Sequence, residues 1–382
     1  MEIKQVYEIV NTATSEVIGD SAVVAEDLSN IVDVGTAIFN ASAFDAYVRT
    51  LVNHIGKVIF VNRPYRGSAP SVLMDAWEYG SVVEKITSAM PQAVENESWE
   101  LEDGASYDPH VFHKPVAEAK FFNKMTTFEI EASITERQVK QSFSSATQLN
   151  AFISMIFNEI DKAMTVRTDA LIMRTINNMI LETAKDAGVL GSPRAVNLLS
   201  EYNTQFNKSL TAGDAIYDPE FIRFAAYRIA LYTDRMTRMS TLFNIGGKQR
   251  FTSKDLQHIV MLSEFKSAAD IYLQSDTFHD EYTKLVGAET IPFWQGSGTD
   301  YAFTSTGKIY GEPASGNDGS AITATGILAC IFDRDALGVM NNNQRVTTQY
   351  NPKAEFTNYF YKKDARYFND MNENFVYFFV AS

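Results

Sequence analysis

Two histidines three residues apart, in Asp108-Pro-His110-Val-Phe-His113, are the nearest approach to a metal-ligand pair in the sequence. On a helix that spacing would place both imidazoles on one face, but Pro109 makes the segment a loop. No third ligand is nearby, so a solvated loop is the better reading. The remaining histidines, His54, His258 and His279, are isolated. Gly296-Ser-Gly298 lacks the strand-to-helix context of a dinucleotide fold. Gly246-Gly-Lys248 is followed by Gln249, not Ser or Thr, and lacks the upstream glycine of a phosphate loop. Both read as turns. There is no Gly-x-Ser-x-Gly elbow, and the lone Cys330 lies in the apolar run Gly326–Phe332, where it packs as a small hydrophobe. The carboxylates of Glu100-Leu-Glu-Asp103 read as a solvated acidic face. No catalytic, cofactor-binding or metal-ligating residue is assigned, and no cofactor is expected. Triads are defined in space, not in sequence, so the missing motifs lower the case for an enzyme without closing it.

The chain has 382 residues, enough for two or three packed units. Lys and Arg total 33 against 47 Asp and Glu, a formal net charge of −14. Such a field repels polyphosphate and argues against a repressor, polymerase or nuclease; it suits a container wall that must not adhere to packed DNA, as it suits any acidic cytosolic protein. One thiol can form neither an internal disulfide nor a thiolate metal site. The first eight residues mix charges without an apolar core, and no run approaches the ~20 residues that cross a bilayer. A soluble protein made in a reducing cytoplasm is expected.

The elements that would position any site fall into a distinctive order. Residues 1 to about 34 have weak periodicity and read as a mobile terminus or an arm on a neighbour. Phe39, Ala43, Phe44, Tyr47, Val48, Leu51, Val52 and Ile55 recur at helical steps, ending at Gly56, and Lys57–Val61 reads as a strand. From 64 to about 120 the pattern breaks. Pro64, Pro70, Pro91, Pro109 and Pro115, half of the ten prolines, lie here with Trp77 and Trp99. The segment reads as a projecting β-hairpin, the other possibility being a small sheet on its own domain. Residues 120–135 read as one returning strand.

Residues 145 to 186 contain neither Gly nor Pro. Leu149, Phe152, Ile153, Ile156, Phe157, Ile160 and Met164 form a stripe that Leu171, Ile172, Ile176, Ile180 and Leu181 continue on a rotated face, with Ser145–Gln148 as a capping box and Gly188 as the stop. About 40 residues give a rod of roughly 60 Å. Its heptads are not strict, so it should lie along a sheet. Beyond it an α/β domain is expected: Asp218-Pro219 caps a helix carrying Phe221, Phe224, Ala225, Ile229 and Tyr232. His258–Leu262 is a strand, Ser263 caps a helix to about Leu273, and Phe278–Leu285 is a short helix. Gly296–Gly319 is loop around the strand Lys308–Tyr310, and Ala324–Phe332 is one buried strand. Ala354–Tyr361 and Asn374–Val380 read as a terminal strand pair.

That order of elements resembles the major capsid proteins of tailed phages, the Hong Kong 97-type or Johnson fold. Val34–Phe39 through Leu51–Val58 is similar to the arm-and-helix entry of coat proteins from short-tailed Bacillus phages. Ile327–Gly338, Tyr350 and Thr357–Phe360 resemble the closing segment of many phage capsid proteins. The resemblance implies an α+β fold divided into an N-terminal arm and helix (1–60), an extended β-hairpin loop (61–122), a peripheral domain with a spine helix (123–188), an axial α/β domain (189–345) and closing strands of the peripheral domain (346–382). It implies a structural subunit, not an enzyme, that self-assembles as hexamers and pentamers into an icosahedral shell around double-stranded DNA without sequence-specific binding. The virion would be assembled in the host cytoplasm, with no membrane. No charged N-terminal segment stands in for a scaffold, so a separate scaffolding protein and a portal are implied. No C-terminal immunoglobulin-like module is seen. The Hong Kong type joins a loop lysine to an asparagine on a neighbour; here Lys85 and Lys114 fall in the excursion and Asn341–Asn343 stand near the end, but no motif matches, and that chemistry is not carried over. The competing readings are an encapsulin-type compartment around protein cargo, a cytosolic enzyme with a spatially assembled site, and a tail or adhesin component.

Overall fold

The computed structural model describes residues 3–19, 24–26, 29–40, 46–47, 50, 71–74, 83–88, 90–91, 93, 95–96, 98, 100–110, 112–135, 146–187, 193–274, 288–292, 294, 306–309 and 322–381. Within them the chain runs α1 (Ile3–Ile18), α2 (Ile31–Asn40), β1 (Leu73–Met74), β2 (Val83–Ser88), β3 (Ala117–Phe122), β4 (Met125–Thr135) and α3 (Ala146–Ala187). It continues through β5 (Ala195–Asn197), α4 (Leu198–Phe206), α5 (Pro219–Arg235), β6 (Gln257–Leu262), α6 (Ser263–Gln274), β7 (Glu289–Ile291), β8 (Thr306–Ile309), β9 (Ile322–Thr325), β10 (Ile327–Asp333), β11 (Leu337–Asn351), β12 (Phe356–Asn369) and β13 (Phe375–Phe379).

Two sheets carry the body. One is ordered β1-β11-β12-β4, the other β5-β13-β10-β6-β7. The 42-residue α3 is the uninterrupted rod expected from a Gly- and Pro-free segment, and it lies along strands of both sheets, touching β4, β11, β12 and β13. Leu171, Ile172, Ile176, Ile180 and Leu181 are buried in the core beside Leu328, Cys330, Phe332, Phe375 and Phe378. Polar groups fasten the same face: Lys363 donates to Thr168 Oγ1 at 3.2 Å, and Asn369 donates to the Thr175 carbonyl at 2.8 Å. Asp218 caps α5 by accepting from the Glu220 and Phe221 amides, with Pro219 in the first turn.

Several local expectations are corrected. The two final strands do not pair with each other: β12 lies between β11 and β4, and β13 lies between β10 and β5. Strand propensity does not choose a partner, but the burial patterns differ. β12 alternates half-buried and buried positions, while β13 is buried almost throughout, the pattern of a strand covered on both faces. The buried run Ala324–Phe332 breaks at Gly326, whose φ is +64°. A Cβ there would fall 2.1 Å from the Val380 carbonyl oxygen, so glycine turns the chain between β9 and β10. Residues 120–135 are two strands, β3 and β4, in different sheets. Ser263 opens α6, and its hydroxyl donates to the Ile291 carbonyl at 2.8 Å, tying the helix start to β7. The N-terminal segment is helical and packs on α3 of its own chain, with Val10, Ala13 and Thr14 buried. The helix expected over Phe39–Ile55 is described only at Phe39–Asn40, Ala46–Tyr47 and Thr50. The strand Lys57–Val61, Trp77, Trp99, Ser145, Gly188 and the helix Phe278–Leu285 lie outside the described residues, as does the loop 296–319 except for β8.

Candidate assembly interface

β2 and β3 form a two-stranded antiparallel hairpin outside both large sheets. A lone hairpin is marginal in water, so one face must lean on something. The register supplies that face: Val83 opposes Phe122, Lys85 opposes Lys120, and Thr87 opposes Glu118. Phe122 packs on Phe368 with ring centroids 5.1 Å apart.

Lys85 and Lys120 are like charges directly across the ladder, an arrangement that destabilises a hairpin unless an anion separates them. Asp370 does so. It is buried at 1 % exposure in the turn between β12 and β13; Lys120 donates to its Oδ1 at 2.7 Å, and Lys85 Nζ lies 3.0 Å from its Oδ2. Lys85 also donates to Glu373 at 2.7 Å, and Arg250 donates to the same Glu373 oxygen at 3.2 Å. Further out, Lys248 donates to both Glu118 oxygens at 2.8 Å. Burial pushes the Asp370 carboxyl up, but the Lys120 hydrogen bond and the Lys85 charge outweigh it and hold the group below the usual aspartate range. Burial pulls the Lys85 ammonium down, and its Glu373 hydrogen bond with the Asp370 charge reverses that, leaving it raised. The hydrogen bond from Lys248 likewise lowers Glu118.

The other face of the hairpin has no such cover. Ile86 is 69 % exposed and Phe121 62 %, beside exposed Ala117 and Ala119. Toward the tip, Met90, Leu101, Tyr107, Phe112 and Val116 are exposed as well, Phe112 at 82 %. Apolar surface gathered on one projecting element marks a binding face. Trp77 and Trp99, the tryptophans of this stretch, lie outside the described residues, and Ile86, Phe121, Lys120, Asp370 and Glu373 were not singled out in the sequence reading. The signal was the alternation in Glu84–Ser88 and Ala117–Phe122, which puts lysines on one face and Ile86 with Phe121 on the other.

The residues weighed for chemistry sit apart from one another. His110 and His113 are exposed on the hairpin loop, the His110 amide donating to Asp108 Oδ1 at 2.9 Å. Glu100, Glu102 and Asp103 are exposed, as is Lys114. No group of three or more metal-ligating side chains occurs among the described residues. Gly246–Lys248 is a turn in which Gly247 has φ +61° and the Lys248 amide donates to Asn244 Oδ1. Cys330 is fully buried, and burial pushes its thiol up, away from the reactive thiolate. Asn341 lies in β11, opposite Ala365. No helix among the described residues is long and apolar enough to cross a membrane.

Comparison with known proteins places this architecture. Among solved structures, the capsid of Staphylococcus phage Andhra superposes with a TM-score of 0.51 at 11 % identity, covering 82 % of this chain and 84 % of that one. A structure of the head fibre and inner core protein of bacteriophage P68 aligns with a TM-score of 0.48 at 12 % identity, covering 81 % and 83 %. At such identity the Andhra likeness speaks to the fold alone. No curated protein sequence matches. The family described as Phi29-like phage major capsid protein matches residues 7–379, nearly the whole chain. An α+β body threaded by one long helix, a projecting hairpin with an uncovered apolar face, and that match together make this chain a member of the Phi29-like phage major capsid protein family, a structural subunit that associates with its own copies into the virion shell.

Proposed function

We propose that copies of this chain form hexamers and pentamers of an icosahedral shell around double-stranded DNA, and that the hairpin laid across a neighbouring copy locks each ring. The observation that carries this is the uncovered apolar face of β2–β3 and its tip, on an element whose opposite face is fastened to its own body. Burial of Ile86, Phe121 and Phe112 against a neighbour would contribute apolar area of the kind obligate interfaces use. The charge of −14 supports a wall that encloses DNA without gripping it. A separate scaffolding protein and a portal complete the set of partners, and assembly takes place in the host cytoplasm.

On this reading the arm and first helix occupy 1–60, the extended loop 61–122, the peripheral domain with its spine helix α3 123–188, and the axial domain 189–345. The closing segment 346–382 is divided between them: β12 serves the peripheral sheet and β13 the axial one. Removing residues 72–105 would take β1, which pairs with β11 in the body, so the informative deletion is confined to the tip. Replacing residues 90–112 by a short Gly/Ser linker leaves a folded subunit with an unchanged melting temperature and abolishes closed shells under negative-stain microscopy. Normal shells from that variant would overturn the proposal.

A further inference from the structure

The tip of the hairpin and one loop of the α/β half carry opposite charge. Residues 86–113 contain Glu95, Glu97, Glu100, Glu102, Asp103 and Asp108 and no Lys or Arg. Residues 235–254 contain Arg235, Arg238, Lys248, Arg250 and Lys254 and no Asp or Glu. Both stretches also expose large apolar side chains: Leu101, Tyr107 and Phe112 on the first; Met239, Leu242 and Phe251 on the second. In a chain of net charge −14, close packing of copies is opposed by their common field. Contacts that set a local basic patch against a local acidic one relieve that opposition and fix the register between copies.

Within one subunit the two stretches are not equivalent in what they already hold. Lys248 is engaged by Glu118, Arg250 by Glu373 and Lys254 by Asp234. Arg235 and Arg238 are both exposed and stand on the wall of a cleft of about 790 Å³, which Pro193, Val196, Tyr232 and Leu242 also line. Edge strand β5 forms one side of that cleft. Its lining is mixed: beside the apolar side chains stand Glu201 and Asp234, each already paired within the chain, with Arg228 and Lys254. Arg235, lying over the Tyr232 ring, and Arg238 offer the charge that a segment alternating carboxylates with a large apolar side chain, as Glu100-Leu-Glu-Asp103 does, would meet. Each arm of the 89–116 loop has 14 residues, a reach of at most roughly 45 Å. The hairpin is fastened to its own body at Phe122, Lys120 and Glu118, and every described residue from 90 to 119 beyond the lysine ties is exposed and open to a neighbour.

We infer that the Glu100–Asp103 segment of one copy docks in the Arg235/Arg238 cleft of the next, with Leu101 entering the apolar floor and the carboxylates meeting the two arginines. The inference rests on the hairpin reaching a neighbour, as proposed above, and adds where it lands. The contact is head-to-tail, so a closed ring follows when the rotation between copies closes.

The test is a charge exchange in the full-length chain. Arg235→Glu with Arg238→Glu, and separately Glu100→Lys with Glu102→Lys and Asp103→Lys, each lower the yield of closed shells at least about tenfold. All five changes in one chain restore most of it. Circular dichroism melts check that each variant folds. A second measurement spares the charges. Leu101→Cys with Leu242→Cys gives a ladder of covalent multimers when assembled particles are oxidised, whereas either single change does not; Cys330 is buried and does not compete. Shells formed normally by the arginine variant overturn the inference. So does a five-fold variant no better than the worse of its parents, which would assign the cleft to another partner such as a scaffold or the packed DNA. If that happens while the linker variant of residues 90–112 still fails to assemble, the hairpin reading stands and only the landing site is wrong. Normal assembly of the linker variant removes both.

Discussion

The five-stranded sheet and the hairpin both carry large apolar side chains on their strands, with opposite fates in the fold. Phe332, Phe375 and Phe378 are fully enclosed between that sheet and its helices, whereas Ile86, Phe112 and Phe121 face outward. The first set is held by neighbours from the same chain: Phe378 meets Tyr232 edge-on at 5.2 Å. The second has no such neighbours because the lysine-bearing face of the hairpin takes up the contact with the body. Apolar residues on a strand therefore report how much surface must be covered, and not which molecule covers it.

The sharpest way to separate the two regions is to empty a position in each. Phe378→Ala should destabilise the subunit by about 4 kcal/mol, read as a shift of the chemical denaturation midpoint, since it opens a cavity in a rigid core. An effect below about 1 kcal/mol would mean that the sheet is loosely packed and the contrast false. Gly326→Ala should cost about 3 kcal/mol in the same assay, combining an unfavourable φ with the approach to the Val380 carbonyl.

Asp370→Asn tests the joint between the two regions. Removing the buried carboxylate leaves Lys85 and Lys120 facing each other, and the expected loss is about 2 kcal/mol, moderated because both lysines reach solvent. Faster amide exchange in β2 and β3, with β10 and β13 unchanged, would show that the loss is local. The pH dependence follows from the shifts. Asp370 lies below its ordinary value of 3.8, so its contribution is complete above that pH and fades as pH falls through the lower folded-state value. Lys85 lies above 10.5, so its contribution is complete below that pH and is lost as pH rises through the raised value. Between those limits the hairpin should keep its exchange protection at constant salt. Phe121→Ser is the smallest change for the subunit, within about 0.5 kcal/mol, yet it should depress shell formation. A large fall in subunit stability would place Phe121 in the body after all.

How much of this could be read beforehand depends on how local the determinants are. The α3 rod, the Asp218-Pro219 start of α5 and the strand character of β12 and β13 follow from periodicity, capping and β-branched or aromatic content within a few residues of each other. The partners of those strands do not. The break at Gly326 is forced by the Val380 carbonyl, which is distant in sequence, and the clamp on the hairpin joins Lys85 to Asp370 and Glu373 across most of the chain. A contact between subunits is one step further removed. Phe121 and Ile86 look like core residues until the fold shows that their side of the ladder has nothing over it.

The short turn from Asp370 to Asn374 ends one sheet's strand and begins the other's, and it also holds the carboxylates that grip the hairpin. A pull on the outstretched arm is thus delivered at the seam of the two layers, not within either. Asn374 continues the path inward through Thr252 to Asp333, at 3.2 and 2.6 Å. With the hairpin laid on a neighbour as proposed, a shell wall would pass tension from copy to copy through this turn, as a riveted plate carries load along its rib.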